Sequence, residues 1–231
     1  MTPSLRILAF ATALVGTVGV AAVQPPVPEP ARFLAGPLPP LSPLVVGGGE
    51  VFLELEVSSA GRPAAANVLR ATPPFTDDLI TAVKQWQFEP ATAVKPPAKP
   101  GGPPIVEPTD SGVLVVATFR APSIMAATLG ELPKDISAPS SAIPFPLVVR
   151  QPPWPPLAVA GGVVLVEARV DGRGAVADVR LVQGSPGFES AALDAVRGWA
   201  FRPVRTPDAP DHSLVYVVLG FPVPVTPPKK Q

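Results

Sequence analysis

An internal repeat sets the terms on which this chain can fold. Residues 39–90 align without a gap to residues 152–203, and roughly a third of the aligned positions are identical. Gly48-Gly49 matches Gly161-Gly162, Glu54 matches Glu167, Val57 matches Val170 and Gly61 matches Gly174. Phe75 matches Phe188, Ala82-Val83 matches Ala195-Val196, and Trp86, Phe88 and Pro90 match Trp199, Phe201 and Pro203. After each copy a connector leads to one more apolar run, Ser111 to Phe119 and Ser213 to Phe221.

Each copy has the same local code. Val163 to Val170 is apolar with charges at Glu167 and Arg169, which suits a strand with one wetter face. Asp171-Gly172-Arg173-Gly174 supplies turn chemistry, an Asx acceptor and residues that tolerate positive φ. Ala175 to Val182 is a second strand, and Ser185 offers a helix cap. Phe188, Ala192, Ala195, Val196 and Trp199 then recur at helical spacing, as do Phe75, Leu79, Ala82, Val83 and Trp86. The expected fold class is α+β, with two small β-β-α-β domains, each a helix packed on a small antiparallel sheet. At helix-stripe spacing Trp86 and Trp199 read as core anchors, Glu54 and Glu167 as solvent-facing strand residues, and His212 as an exposed loop residue.

Composition narrows the function. Proline (36 residues) and glycine (19) approach the level that marks low complexity, yet hydrophobic residues make up 47% and charged ones 16%, the reverse of a disordered chain. The prolines are expected to mark boundaries, none of them inside a strand or helix, with flexibility confined to residues 24–36, 91–110 and 123–146. With no cysteine, disulfides and thiolate chemistry are excluded. One histidine makes histidine metal sites and triads hard to build, so no metal, no cofactor and no catalytic residues are expected. Lys+Arg and Asp+Glu balance at 18 each, which gives no electrostatic footprint for nucleic acid.

The first residues speak to compartment. Ile7 to Val23 is apolar and uncharged, with Val20-Ala21-Ala22 near its end and a proline-rich run from Gln24 after it. A cleaved signal peptide, an uncleaved signal-anchor in the inner membrane and a buried helix all fit this segment. The first two send the remainder across a membrane. The organisation expected is therefore a leader at 1–23, a linker at 24–36, a first domain at 37–122, a linker at 123–146, a second domain at 147–224 and a tail at 225–231.

Residues 152–222 resemble the C-terminal domain of the TonB family, the periplasmic energy transducers. The resemblance rests on Trp154-Pro155, the run Gly162-Val163-Val164-Leu165-Val166, the turn Asp171-Gly172-Arg173-Gly174 and the closing Trp199-Ala200-Phe201-Arg202-Pro203. Residues 39–122 resemble the same domain more weakly, with Leu41-Ser42 in place of the box and Ser58-Ser59-Ala60-Gly61 in place of the turn. The resemblance implies a noncatalytic periplasmic protein that binds an envelope partner, such as the TonB-box peptide of an outer-membrane transporter, by strand addition. By that analogy the edge is the last strand, with Ser213, Val215, Val217 and Leu219 as binding residues and Pro153, Trp154 and Pro155 near the same ligand. The other reading of Trp154 is packing over its domain. Both alternating sets on the last strand are apolar, which suits a strand buried on both faces or one awaiting a partner. Pairing between the two copies, giving a structural scaffold or spacer, is the alternative.

Overall fold

The computed structural model describes residues 26–41, 47–121, 143–202, 204 and 211–223. The expected leader and tail, and most of the expected 123–146 linker, lie outside the described residues. The first copy comprises β1 (Arg32–Ala35), β2 (Gly49–Val57), β3 (Pro63–Arg70), α1 (Phe75–Val83), β4 (Gln87–Glu89), β5 (Ala91–Lys95), β6 (Ile105–Thr109) and β7 (Ser111–Phe119). The second comprises β8 (Phe145–Val148), β9 (Gly162–Asp171), β10 (Val176–Gly184), α2 (Glu189–Arg197), β11 (Ala200–Arg202) and β12 (His212–Phe221).

The two turns form as their residues dictate. Asp171 Oδ1 accepts from Arg173 N and Ala175 N at 2.9 Å each, which holds the carboxyl below its ordinary range. Gly61 and Gly174 both adopt positive φ, 73° and 85°. A Cβ on Gly61 would also meet the Phe88 carbonyl oxygen at 2.0 Å, so this position requires glycine. Ser185 does not cap α2: Phe188 sits at the N-cap without a side-chain bond. The Ser185 hydroxyl instead accepts from Val163 N at 3.1 Å, as the Thr72 hydroxyl accepts from Glu50 N at 3.2 Å in the first copy. Each helix also ends earlier than the stripe suggests. Trp86 and Trp199 lie beyond it, both buried, with indole N–H groups donating to Pro37 O at 2.8 Å and Arg150 O at 3.0 Å.

The expectation of two separate antiparallel sheets gives way to one mixed sheet. Its order is β10-β9-β12-β7-β2-β3. Within each copy the pairing is antiparallel, but β12 and β7 meet in parallel, Val215 opposite Leu114 through Gly220 opposite Phe119. A half-turn about an axis between these two strands exchanges the copies and therefore exchanges the sheet's faces. The two helices lie on opposite faces as a result. One core joins Leu79, Val83 and Trp86 to Val115, Ala117, Tyr216 and Val218. The other joins Ala192, Val196 and Trp199 to Leu114, Val116, Val217 and Leu219. This is why both alternating sets of β12 are apolar: each set serves a different core, and full burial of each Val or Leu contributes about 1.5–3 kcal/mol.

Segments read as linkers contain strands. β1 pairs with β4, and β8 pairs with β11, so the repeat extends to elements before its aligned part. Residues 91–110 form the β5–β6 hairpin, Ala91 opposite Thr109 through Lys95 opposite Ile105. Prolines do enter strands, at Pro63, Pro108 and Pro146. Pro63 opens the outermost strand β3, and the other two lie in two-stranded ribbons, places where a missing N–H costs least. Among the described residues no helix is long and apolar enough to cross a membrane.

Candidate functional site

The strand assigned to partner binding is not an edge. Ser213, Val215, Val217 and Leu219 lie on β12 in the middle of the sheet, antiparallel to β9 on one side and parallel to β7 on the other. Val215, Val217 and Leu219 are wholly buried. Their backbone groups already serve the chain's own ladders, so an incoming peptide finds no free row there. The physical reason is the first copy's apolar strand β7, held on the same polypeptide beside β12. The strands that do end the sheet are β3 and β10.

The loop Pro153-Trp154-Pro155 lies elsewhere, over the second core. Trp154 is half-buried, edge-on to Phe188 at 5.5 Å and to Phe221 at 6.5 Å between ring centroids. Pro153 is exposed and Pro155 half-buried. Arg120, fully buried, reaches this loop by donating from Nη1 to Pro152 O. The loop meets β12 through the contact of Trp154 with Phe221.

A polar centre that the sequence did not reveal stands on the opposite face. Glu167 is 7% exposed, against the expectation of a solvent-facing strand residue. Arg180 on β10 grips its carboxylate with two bonds, Nε to Oε1 at 3.0 Å and Nη2 to Oε2 at 2.9 Å. That bidentate geometry compensates for burying the charge and raises the already high guanidinium pKa. The Tyr216 hydroxyl donates to Glu167 Oε2 at 3.2 Å and accepts from Phe33 N at 2.7 Å. Burial pushes the phenol well above its ordinary value. The network thus ties β1 of the first copy to the second copy's sheet.

Around this centre opens a cleft of about 490 Å³. Its walls are the first copy's β1, β4 and β5 on one side and β9, β10 and β12 on the other. Arg32 Nε lies 3.9 Å from Glu167 Oε2. His212 is half-buried, with Nδ1 3.2 Å from Arg169 Nη2 and Nε2 4.0 Å from a Glu29 carboxylate oxygen. Burial first, and the Arg169 charge second, hold its pKa below the ordinary imidazole value. Asp178, opposite Arg169 across the ladder, is exposed. Seven of the twelve lining residues are charged at neutral pH, in a chain where charged residues are 16%. Among the described residues no group of three or more His, Asp or Glu side chains is placed to hold a metal. A sequence signal for this centre existed in the pairing of Glu167, Arg180 and Tyr216 on neighbouring strands, but the strand register was needed to see it.

No curated protein matches the chain. Residues 151–217 match the family model of the Gram-negative bacterial TonB protein C-terminal, so the second copy, from the Trp154 loop into β12, is similar to that domain.

Proposed function

We propose that this chain is a noncatalytic cell-envelope protein, exposed to the periplasm, which holds an envelope partner by adding the partner's strand to its sheet. The similarity of residues 151–217 to the TonB C-terminal domain supports the compartment and the mode. The single observation that carries the reading is the sheet order, in which the two copies close each other's last strands and leave only β3 and β10 at the ends. β10 is the better acceptor. Its residues Ala177, Asp178, Arg180, Leu181 and Gln183 are exposed, and it borders the charged cleft. β3 instead opens with Pro63, a residue that blunts an edge. An outer-membrane transporter peptide is the partner class this reading favours.

The test is hydrogen exchange on the full chain with and without extended peptides derived from envelope transporters. Partner addition slows exchange at Val176–Gly184 and leaves β12, slow already, unchanged. Unaltered exchange throughout β10 would reject the binding role. A second reading, a periplasmic spacer, draws on the parallel β7–β12 pairing, which rigidly joins the two copies. Under it no peptide changes the exchange pattern.

A further inference from the structure

Beyond the mode of binding, and resting on it, the charges beside the free edge of β10 specify a sequence pattern in the partner. We propose that β10 selects an extended segment reading acidic–apolar–basic, added antiparallel, with the acid opposite Arg180 and the base opposite Asp178.

The argument starts from alternation. Asp178 and Arg180 pair with Arg169 and Glu167, on the face of the sheet that carries Leu214 and Tyr216. That face is the cleft. Between them Val179, opposite Ala168, points to the other face and packs against the core of α2. The run Asp178–Leu181 is the regular part of the strand, because register shifts flank it at Val176/Asp178 and Leu181/Gln183. A strand laid on this run places residues two apart on the cleft face and the one between them beside Val179. An apolar middle residue therefore extends the α2 face, and its two neighbours enter the cleft.

Charge then sets their signs. Directly opposed like charges destabilise a pair of strands and opposite charges stabilise it. Arg180 spends Nε and Nη2 on Glu167, which leaves Nη1 donors for a further carboxylate. Asp178 is exposed and forms no ion pair among the described residues. Arg32 lies across the cleft, half exposed, with only the 3.9 Å approach to Glu167, so it reinforces the position for an acid. Antiparallel addition is chosen because directly opposed pairs belong to that geometry, which is also the more stable per residue. Reading along the partner, the residue opposite Arg180 comes first and the residue opposite Asp178 third. The other free end lacks this code: β3 runs Pro63-Ala64-Ala65-Ala66-Asn67-Val68 before its first charge at Arg70.

The experiment uses the full chain and three short synthetic peptides of alternating threonine and valine. One carries glutamate–valine–lysine at its centre, one lysine–valine–glutamate, and one no charge. Affinity is read by calorimetry and the site by amide shifts at Asp178–Leu181. The glutamate-first peptide should bind about fivefold more tightly than either other. Asp178→Lys, an exposed substitution, should transfer that preference to a fourth peptide, with glutamate at both positions. Equal affinity for all three peptides would overturn the charge code while leaving strand addition standing. Preference for the lysine-first peptide would overturn the antiparallel register. If no peptide binds, both this inference and the binding role fall.

Discussion

Glu54 and Glu167 occupy equivalent places in the repeat, yet their surroundings share almost nothing. Across the ladders Glu54 faces Asn67 and Leu114, whereas Glu167 faces Arg180 and Tyr216. Glu54 is half-buried; Glu167 is buried inside an ion pair that reaches the first copy's β1. The first copy's own buried acid is Glu50, joined to Arg70 at 2.9 Å, and the matching positions in the second copy are Val163 and Gln183. Burial raises the Glu50 pKa, against the pull of Arg70. The two halves share one sheet, which puts their aligned positions on opposite faces against different neighbours. Each half thus holds its own polar centre, Glu50 with Arg70 in one and Glu167 with Arg180 in the other.

The largest effect should come from breaking the shared middle. Val217→Pro removes a ladder N–H from a strand paired on both sides and empties part of the second core. It should cost about 5 kcal/mol or more, read as loss of a cooperative urea transition. Next come the two tryptophans, which test how far equivalence survives. Trp86→Ala and Trp199→Ala should each cost about 3–5 kcal/mol, and similar losses in urea melts would show that the copies share one cooperative unit.

The acidic positions should part company. Arg180→Leu leaves Glu167 buried without its main partner and should cost about 2–3 kcal/mol, reduced from a fully enclosed pair because Arg180 is partly exposed to solvent. Asn67→Leu, the matching change, should stay within about 0.5 kcal/mol. Equal losses would dissolve the contrast. Tyr216→Phe removes the hydroxyl that joins Glu167 to the Phe33 amide, with an expected loss of about 1–2 kcal/mol by the same melts.

The smallest effect is a pH slope. Because His212 is held below the ordinary imidazole value of 6.5, the unfolded chain takes up its proton first on acidification. Stability from this group is whole above that value, and it declines as pH falls from there to the lowered folded value. His212→Gln should flatten this part of a pH–stability curve. An unchanged slope would place its origin elsewhere.

Much of this was legible from particular residues. Gly61 and Gly174 marked their turns, and the doubly apolar β12 allowed burial on two sides as one of two readings. The register of Trp86 and Trp199 identified them as anchors, although their place beyond each helix depended on how the next strand returned. Less was legible where the answer lay in long-range pairing. A periodic strand pattern cannot say which strand is adjacent, so β12 read as an edge when β7 in fact covers it. A glutamate alternating with apolar residues reads as solvent-facing, and only the arrival of Arg180 and Tyr216 on neighbouring strands makes its burial tolerable. β1 and β8 escaped notice because each is four residues long and proline-flanked.

The central parallel pair also bears on the order of assembly. β7 must wait for β12, whose residues are separated from it by the whole of the second copy. Contacts of such wide sequence separation form late and slow the search for the native state. Until Val215–Gly220 arrives, the first copy presents an open apolar strand to its surroundings, the kind of surface that draws unintended pairing. A chain cut short before His212 would keep that exposure permanently. The last strand of the second copy is thus the bolt that locks the first, and the fidelity of making this protein is decided at its far end.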